Sequence, residues 1–331
     1  MPSMNRRWIV TGANGYLGGQ LCMALHRRGD SVVGVARAGR SVNNLEDTGI
    51  LCVTYEALPS ILSSGDIFVH CAGMVGNSGD LEAFEKVNSG WAMSLFALSQ
   101  EHGVDCFIYI SSVAALGYKN RPCDAVLDES ALPMHVDGEL YGRSKLLAEQ
   151  TLSGSAVPNS TRLVILRPGL IYGRRPFSSS CSRFRRPVVV DQEQRVPLVH
   201  IDNFSEAVVK VALHPEAQGV FFVVDEEQPT LREFNSLKMR YGLMQYSPLN
   251  IGKAGFWLIW LLRGFVRTMR GRGVKHLKDE AFADYCFQTR RLFYNTEKLR
   301  SLTEWMPLEQ LDTVLRDSSP APMETCEETK I

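Results

Sequence analysis

The chain has 331 residues, and its 36 Lys and Arg balance its 36 Asp and Glu, so the formal net charge is zero. Such a balance provides no global electrostatic field for nucleic acid, and we expect no nucleic-acid partner. The length is sufficient for one large α/β domain, or for a core domain with an appended lobe.

The first predicted element is a glycine-rich stretch at residues 8–21, "WIVTGANGYLGGQL". It predicts a short strand, a tight turn and the start of an apolar helix, with Gly12, Gly15 and Gly18 at every third position. Glycine permits positive φ and lets a pyrophosphate approach the backbone, and the N–H groups at a helix N-terminus favour an anion. By itself the stretch is equally compatible with a dinucleotide-binding turn and with an ordinary glycine-rich turn.

The second predicted strand, "SVVGVA", ends at Ala36 and is followed by Arg37, with Arg40 close by. Near this position an acidic side chain binds the ribose 2′-hydroxyl of NAD, whereas an arginine pairs with the 2′-phosphate of NADP. The charge placement therefore favours NADP(H) over NAD(H) as the cofactor. The alternative is that both arginines are only solvated loop charges.

Short apolar runs alternate with helical stretches through the first half of the chain. The runs are "RWIVTG", "SVVGVA", "ILCVT", "DIFVHCAG", "CFIYISS" and "RLVILRP". Runs that are apolar throughout and separated by helices indicate a parallel sheet covered on both faces. We therefore predict an α/β fold, in which a Rossmann-like, doubly wound parallel sheet forms an NAD(P)-binding domain at residues 1–173.

A catalytic pair is predicted in "YGRSK", which places Tyr141 and Lys145 on one face of a helix. A lysine ammonium beside a phenol stabilises the phenolate, so we expect Lys145 to lower the Tyr141 pKa and make the phenol a general acid/base. Tyr294 and Lys298 have the same spacing. Only Tyr141 follows a strand ending in "YISS", so we interpret Tyr294 as a surface or packing residue.

The pattern changes after Gly173. Residues 174–187 form an irregular basic stretch, "RRPFSSSCSRFRRP", and "VPLVHIDNFSEAVVKVAL" then predicts a strand that leads into a helix. A further strand, "GVFFVVD", precedes a mostly helical end. We expect residues 174–316 to form a smaller C-terminal substrate-binding lobe, partly interleaved with the core, and residues 317–331 to form a disordered tail.

The basic stretch carries five arginines: Arg174, Arg175, Arg183, Arg185 and Arg186. Their charge is compatible either with binding of an anionic substrate or with a mobile, solvated lid.

Residues 255–275, "GFWLIWLLRGFVRTMRGRGVK", combine bulky apolar side chains with spaced arginines. They predict an amphipathic helix with Arg263, Arg267 and Arg270 toward water. A helix of this kind can make a peripheral membrane contact, here through residues 254–270, line an apolar pocket, or pack within its own lobe.

Together these motifs resemble the extended short-chain dehydrogenases/reductases, the NAD-dependent epimerase/dehydratase superfamily, from Trp8 to about Leu315. The resemblance is carried by "TGANGYLGG", "DIFVHCAG", "VNSG", "YISS", "YGRSK", "LRPGLIYG" and "PLVHIDNFSEAV". It implies that the glycine stretch binds the cofactor. The cofactor-binding positions that it implies are Gly12, Asn14, Gly15, Tyr16, Leu17, Gly18, Arg37, Cys71, Ala72, Gly73, Tyr141, Lys145 and Pro168.

The resemblance also implies catalytic roles. Ser112 would hydrogen-bond the substrate oxygen, Tyr141 would move the proton, and Lys145 would tune the tyrosine and hold the nicotinamide ribose. Asn88 would have a supporting place near an active-site water; the alternative is that it caps the following helix.

Within the family, Val113 and Ala114 stand where sugar-nucleotide 4,6-dehydratases have an Asp-Glu pair, which excludes that activity. Arg195 is one place away from the arginine with which epimerases hold pyrophosphate, and this weakens the sugar-nucleotide interpretation. The positive likeness is to the branch that holds 3β-hydroxysteroid dehydrogenases and dihydroflavonol reductases. It is carried by "VHIDN", which contains Asn203, and by "FYNTEKLRSLTEWMP".

The expected function is therefore that of an NADP(H)-dependent oxidoreductase, which interconverts a ketone and a secondary alcohol on a fairly apolar, steroid-, flavonoid- or polyketide-like substrate. One alternative is an NAD-dependent nucleotide-sugar epimerase, and another is a non-catalytic dinucleotide-sensing protein. The presence of Ser112, Tyr141 and Lys145 together argues against the sensor, which has no need for all three.

The resemblance further suggests a homodimer built on two helices from each subunit. The candidates are the helix at residues 82–102 and the helix that carries Tyr141. The first has apolar side chains at helical spacing: Phe84, Val87, Trp91, Leu95 and Leu98.

The eight cysteines include no CxxC pair, and most lie in apolar surroundings, as Cys71 does in "FVHCAG". This distribution favours reduced thiols over a disulfide framework and leads us to expect a cytoplasmic protein without a bound metal. No apolar signal-peptide core precedes Trp8, and no stretch has the length and hydropathy of a membrane span.

Overall fold

The computed structural model of the chain describes residues 6–76, 80–157, 160–173, 186–269 and 277–319. Its strands are β1 Arg7–Thr11, β2 Ser31–Ala36, β3 Leu51–Thr54, β4 Ile67–His70, β5 Cys106–Ile110, β6 Ala125–Leu127, β7 Arg162–Pro168, β8 Leu170–Tyr172, β9 Val188–Val189, β10 Leu198–His200, β11 Gly219–Val223, β12 Leu249–Asn250 and β13 Leu292–Tyr294. Its helices are α1 Tyr16–Arg27, α2 Asn43–Glu46, α3 Leu58–Ile61, α4 Leu81–Glu85, α5 Trp91–Glu101, α6 Leu140–Gly154, α7 Ile201–Leu213, α8 Leu231–Arg240, α9 Gly252–Met269, α10 Leu277–Gln288, α11 Glu297–Thr303 and α12 Leu311–Asp317.

The main sheet consists of seven strands in the order β11-β7-β5-β4-β1-β2-β3, all of them parallel. The strand order reverses between β1 and β4, so the connections run to opposite sides of this point. In open sheets of this kind ligands bind at the carboxyl ends of the strands beside the reversal. The predicted Rossmann-like, doubly wound fold is confirmed, and all six predicted strands of the first half lie in the sheet.

Both faces of the sheet are covered by helices. Side chains alternate along β1, so Trp8 and Ile9 belong to different apolar clusters. The Trp8 cluster includes Phe204 of α7, and the Ile9 cluster includes Phe96 of α5. Burial on both faces explains why the strands are apolar throughout rather than alternating.

The second half of the chain is interwoven with the first. Strand β11 completes the main sheet by pairing with β7, and α7 and α11 pack on the same sheet. Three small parallel pairs, β8 with β10, β9 with β12 and β6 with β13, join the later segments to the core. The break at Gly173 is therefore a change along the sequence, while the two halves share one apolar core.

Two predicted segments fall largely outside the described residues. Of the five arginines in the basic stretch only Arg186 is described, and its Nε donates to the Ser247 carbonyl oxygen at 2.6 Å. Arg174, Arg175, Arg183 and Arg185 lie outside the described residues. Of the predicted tail, Asp317 belongs to α12, and residues 320–331 lie outside the description.

Asn203, fully buried in α7, anchors the C-terminal turn. Its amide nitrogen donates to Asp225 and to the Glu309 carbonyl oxygen, each at 2.8 Å, while its side-chain oxygen accepts the N–H groups of Leu308 and Glu309. Trp305 donates its indole N–H to the Asn203 carbonyl oxygen at 3.0 Å. One side chain thus holds together segments more than 100 residues apart.

Helix α9 does not pack within its own lobe along most of its length. Phe256 is buried, with its ring centroid 5.5 Å from that of Tyr285 in α10. Leu261, Phe265 and Met269 are each about two thirds or more exposed. The own-lobe alternative is therefore wrong for most of the described part of this segment, in which Arg270 and the side chain of Arg267 are not included.

Among the described helices, none combines the length and the hydropathy required to cross a bilayer.

Candidate active site

The glycine turn brings the ends of β1 and β4 together. Gly12 has φ +73°, and a Cβ atom there would lie 3.0 Å from the Ala72 amide nitrogen just beyond β4. A Cβ atom at Gly18 would overlap the Gly12 carbonyl group. Both positions therefore require glycine, one for its backbone conformation and the other for the close approach of α1 to the turn.

The N-terminus of α1 is suited to a phosphate group. Gly15 occupies the N-cap position, and the first turn contains no acidic side chain. Asn14 and Gly15 are exposed, Leu17 packs on the core, and the Tyr16 hydroxyl donates to the Gly173 carbonyl oxygen. Because the N–H groups of such a turn attract anions, these residues fit the pyrophosphate of a dinucleotide.

Arg37 follows directly after β2 and is exposed, without an ion-pair partner among the described residues. The charge of Arg37 contributes to lowering the Tyr55 pKa, although burial raises that pKa more strongly. Since β2 is the direct neighbour of β1, this guanidinium lies at the same edge of the sheet as the glycine turn.

Ser112, Tyr141 and Lys145 meet beyond the carboxyl end of β5. Ser112 caps the short 3-10 turn Val113–Leu116, and its Oγ accepts the Ala114 N–H at 3.2 Å. Tyr141 and Lys145 lie one turn apart at the start of α6, and Tyr141 is hydrogen-bonded to Ser112. The structure thus brings together the three residues for which the sequence predicts catalytic roles.

Burial dominates the electrostatics of this group. It raises the Tyr141 pKa to about 12, although the hydrogen bond with Ser112 acts in the opposite direction. Burial also lowers the Lys145 pKa to about 8. The expectation that Lys145 lowers the Tyr141 pKa is wrong for this arrangement, because Nζ donates to the Ile110 carbonyl oxygen at 2.7 Å and lies 6.0 Å from the Tyr141 ring centroid.

Asn88 connects two of the segments that form the site. It lies in a π-helical turn, Lys86–Gly90, and is fully buried. Its side chain accepts the Met74 N–H at 2.7 Å and donates to Ser144 Oγ at 2.9 Å, so it ties the loop after β4 to α6. The helix-capping alternative is wrong, since Gly90 is the residue that precedes α5.

The loop after β4 is shaped by the same contacts. A Cβ atom at Gly73 would lie 2.9 Å from Asn88 Oδ1 and 3.4 Å from Lys145 Nζ. Cys71 is adjacent, and burial raises its pKa to about 12, so it is a thiol rather than a thiolate at neutral pH. Pro168, the last residue of β7, lies farther along the same edge of the sheet.

A buried ion pair beneath Lys145 was not among the sequence predictions. Arg167 donates twice to the Glu149 carboxylate, at 2.9 and 2.6 Å, and the Ser111 hydroxyl donates to the same group at 2.5 Å. The available signal was spacing, because Glu149 follows Lys145 by four residues and therefore lies on the same helix face.

The second Tyr-Lys pair is structural. Tyr294 ends β13, is 2% exposed, and packs edge-on against Phe222 with ring centroids 5.3 Å apart. Lys298 lies in a different element, α11, where its Nζ donates to the Val220 carbonyl oxygen. The interpretation of Tyr294 as a packing residue is confirmed.

Arg195 is held by structural contacts. Its guanidinium stacks over the Phe293 ring, with 4.3 Å from Cζ to the ring centroid, and donates to the Gln228 carbonyl oxygen at 3.1 Å. Val113, at one of the two positions occupied by acids in dehydratases, is buried among apolar side chains. Val113 has no group that could transfer a proton, and Arg195 Nε has no hydrogen-bond partner among the described residues.

Comparisons with known proteins place these features in context. A family model described as "NAD dependent epimerase/dehydratase family" matches residues 8–224. The chain is 27% identical over 241 residues to the UDP-glucose 4-epimerase of Vibrio cholerae. This match covers 67% of this chain and 71% of that protein. It is also 28% identical over 245 residues to the 2-alkyl-3-oxoalkanoate reductase of Shewanella oneidensis. This match covers 67% of this chain and 62% of that protein.

Among solved structures, the UDP-glucuronic acid 4-epimerase of Bacillus cereus in complex with NAD is similar with a TM-score of 0.68 at 19% identity. The match covers 94% of this chain and 96% of that one. At this identity the likeness shows a common fold.

Proposed function

Since the chain belongs to the NAD-dependent epimerase/dehydratase family of enzymes, whose members bind a nicotinamide dinucleotide, we propose that it is an NADP(H)-dependent oxidoreductase. It interconverts a ketone and a secondary alcohol on a fairly apolar small molecule of steroid-, flavonoid- or polyketide-like character. The observation that carries the proposal is the arrangement of Tyr141, which burial holds in its protonated form beside Ser112. A protonated phenol is the form that donates a proton to a carbonyl under reduction.

The glycine turn at Gly12, Gly15 and Gly18 would hold the pyrophosphate, and Arg37 would pair with the 2′-phosphate of NADP. When bound, the dinucleotide supplies a hydride to the carbonyl carbon or accepts one from the alcohol. An acidic side chain in place of Arg37 would repel the 2′-phosphate, and this is the basis for preferring NADP(H).

The protein's own residues manage the proton. Ser112 Oγ accepts the Ala114 N–H and is hydrogen-bonded to Tyr141, and from this position its hydroxyl would bind the substrate carbonyl oxygen. Tyr141 transfers its Oη proton to that oxygen, and Lys145, one turn away on α6, would hold the nicotinamide ribose. In the alcohol-oxidising direction the same proton returns to Tyr141.

The substrate class is supported by the engaged arginines. Arg195 is stacked and hydrogen-bonded within the protein, and Arg121 donates to the Leu116 and Leu132 carbonyl oxygens. A nucleotide-sugar substrate requires cationic groups for its pyrophosphate, and the Nη atoms of these two arginines already donate to backbone carbonyl oxygens of the protein. The similarity to a 2-alkyl-3-oxoalkanoate reductase is in keeping with an apolar ketone substrate.

The proposal is tested by mixing the purified chain with NADPH and a panel of apolar ketones that includes a 2-alkyl-3-oxoalkanoate. We expect substrate-dependent loss of NADPH absorbance, which is absent in the Tyr141→Phe variant. UDP-glucose with NAD is the comparison. Conversion of UDP-glucose to its 4-epimer, with every ketone inert, would replace the proposal by the epimerase alternative.

We also propose a homodimer through α5 and α6. Phe84 on α4 and Leu95 on α5 are buried within the chain. Trp91, at the start of α5, is 40% exposed. An exposed tryptophan of this kind is suited to the centre of an interface between two copies.

A further inference from the structure

Helix α9 carries a continuous apolar stripe that the chain itself leaves uncovered. Leu258, Leu261, Leu262, Phe265 and Met269 follow one another at three- or four-residue steps, or side by side, so they lie on one face. Their exposed fractions range from 57% to 73%. Exposed apolar side chains scattered singly are ordinary, but a contiguous row of five on one helix marks an interaction surface.

The sequence segment that contains this helix is strongly basic. From Phe234 to Lys278 the sequence contains nine Lys and Arg and no Asp or Glu. The rest of the chain has 27 Lys and Arg against 36 Asp and Glu, so the zero net charge conceals a basic segment centred on α9. An apolar helix face within a basic segment is complementary to a surface that is both apolar and anionic.

We propose that α9 is an interfacial helix that docks this protein on an anionic lipid membrane. Eighteen residues of helix measure about 27 Å, which is sufficient to lie along the headgroup boundary with the apolar stripe toward the acyl chains. Arg263 is exposed on the same helix, with its guanidinium 5.0 Å from the Trp260 ring centroid. Such a group can reach the phosphates while its stem covers apolar surface.

The rings at the start of α9 fix the helix to the body of the protein. Phe256 and Trp257 both contact Tyr285 of α10, with ring centroids 5.5 and 5.6 Å apart. The exposed stripe begins directly after these rings, at Leu258. The docking surface is therefore rigidly connected to the enzyme.

Helix α10 in turn packs at the catalytic end. A Cβ atom at Gly138, three residues before Tyr141, would overlap the Asp279 carbonyl group of α10. Phe287 of α10 also contacts the Tyr118 ring just beyond the Ser112 turn. The membrane-docked helix thus lies one element away from the active site. That proximity is useful only if the substrate is apolar, and so this last step rests on the proposed function, whereas the docking does not.

The test is co-sedimentation of the full chain with sucrose-loaded vesicles, without cofactor or substrate. One vesicle type is phosphatidylcholine alone, and the other is an equimolar mixture of phosphatidylcholine and phosphatidylglycerol. We expect at least tenfold tighter binding to the anionic vesicles, weakened by salt because the cationic contribution is screened. No binding to either type, or equal binding to both, would overturn the proposal.

Two variants locate the contact. Replacing Leu261 and Phe265 together by Glu should reduce binding to anionic vesicles at least tenfold, since it places carboxylates on the stripe. Leu308→Glu, at a position that is 67% exposed on another part of the surface, is the matched control and should bind as the unaltered chain does. Both proteins should retain the thermal unfolding transition of the unaltered chain, because all three side chains are largely exposed.

A second measurement reports the position of the helix directly. Brominated phosphatidylcholine in the anionic vesicles should quench a tryptophan introduced on the stripe by Phe265→Trp more strongly than it quenches the tryptophans of the unaltered chain. The competing occupant of the stripe is a second copy of the chain. A dimer that the double Glu variant converts to monomer, together with absent vesicle binding, would assign the stripe to self-association and reject the membrane.

Discussion

Lys145 Nζ donates to the carbonyl oxygen of Ile110 at 2.7 Å, so the lysine of the catalytic helix is bound to the last residue of β5. The contact holds a cation in a place that is 4% exposed. Burial disfavours the charged form and lowers the Lys145 pKa from 10.5 to about 8. The active site therefore carries a charge that opposes folding.

Lys145→Met should reveal this opposition as a pH-dependent difference in stability. Below pH 8 the lysine is charged in both the folded and the unfolded chain, and the burial penalty is fully present. Between pH 8 and 10.5 the folded chain releases the proton first, so the penalty is lost as the pH rises. One pKa unit corresponds to about 1.4 kcal/mol. The unfolding free energy of the unaltered chain, relative to that of the variant, should therefore rise by about 3 kcal/mol between pH 8 and pH 10.5.

Urea unfolding of both proteins at pH 7 and pH 10.5 measures this difference. A stability difference that is the same at both pH values would contradict the assignment of a buried, titrating Lys145.

Tyr141→Phe should preserve the fold and the affinity for cofactor but lose about 10²–10⁴-fold in turnover, because it removes one positioned general acid. Turnover with the best ketone and equilibrium binding of NADPH separate the two effects. Tyr294→Phe is the internal control, since Tyr294 is a buried packing residue with the same spacing to a lysine. Loss of turnover in the control, with full activity in Tyr141→Phe, would place the active site elsewhere.

Arg37→Asp should reverse the cofactor preference. The unaltered chain is expected to bind NADPH more tightly than NADH, and a carboxylate at this position would repel the 2′-phosphate. We expect the ratio of the two dissociation constants to change at least tenfold, as measured by titration of each cofactor. Arg240→Asp makes the same charge change at an exposed position on α8 and should leave the ratio unaltered. Tighter NADH binding by the unaltered chain would rule out the NADP assignment.

Glu149→Gln should destabilise the protein by about 3–5 kcal/mol, since it leaves the guanidinium of Arg167 buried without its carboxylate. The two side chains are 5% and 6% exposed, and Arg167 Nη1 already has no hydrogen-bond partner among the described residues. Asp105→Asn breaks the far more exposed pair with Arg6 and should cost less than about 1 kcal/mol. Chemical denaturation of both variants measures the two losses of unfolding free energy. Equal losses would contradict the larger contribution expected of the buried pair.

Trp91→Glu should convert a homodimer into a monomer. Trp91 is partly exposed on α5, where its ring meets Tyr55 edge-on with centroids 5.1 Å apart. Sedimentation at micromolar concentration should give a dimer for the unaltered chain and for the variant with Glu at residues 261 and 265. A monomeric unaltered chain would contradict the proposed interface.

The fold was predictable because its determinants are local. Strand β1 and its neighbours are short runs that are apolar throughout. Such runs indicate strands of a parallel sheet that is buried on both faces. The glycine turn was likewise predictable from the sequence. A Cβ atom at Gly12 or Gly18 would lie too close to neighbouring backbone atoms, so both positions require glycine. Ser112, Tyr141 and Lys145 could be brought together because parallel strands end at one edge of the sheet.

What the sequence did not reveal depends on where side-chain ends point. Lys145 was expected to face Tyr141, but its four-carbon stem instead reaches the Ile110 carbonyl oxygen. The contacts of Asn88 depend on a π-helical turn, for which spacing gives no signal. The exposure of α9 was equally hidden, because an amphipathic pattern is the same whether protein, water or lipid lies against its apolar face.

The shared cluster of Trp8 and Trp305 has a consequence for biosynthesis. Trp8 and Trp305 are far apart in the sequence, and the Asn203 contacts that hold the C-terminal turn cannot form before residues 305–309 have been synthesised. The sheet face to which Trp8 belongs therefore stays incompletely covered during synthesis until these residues have left the ribosome. Apolar surface that is exposed in this way during synthesis is prone to aggregation.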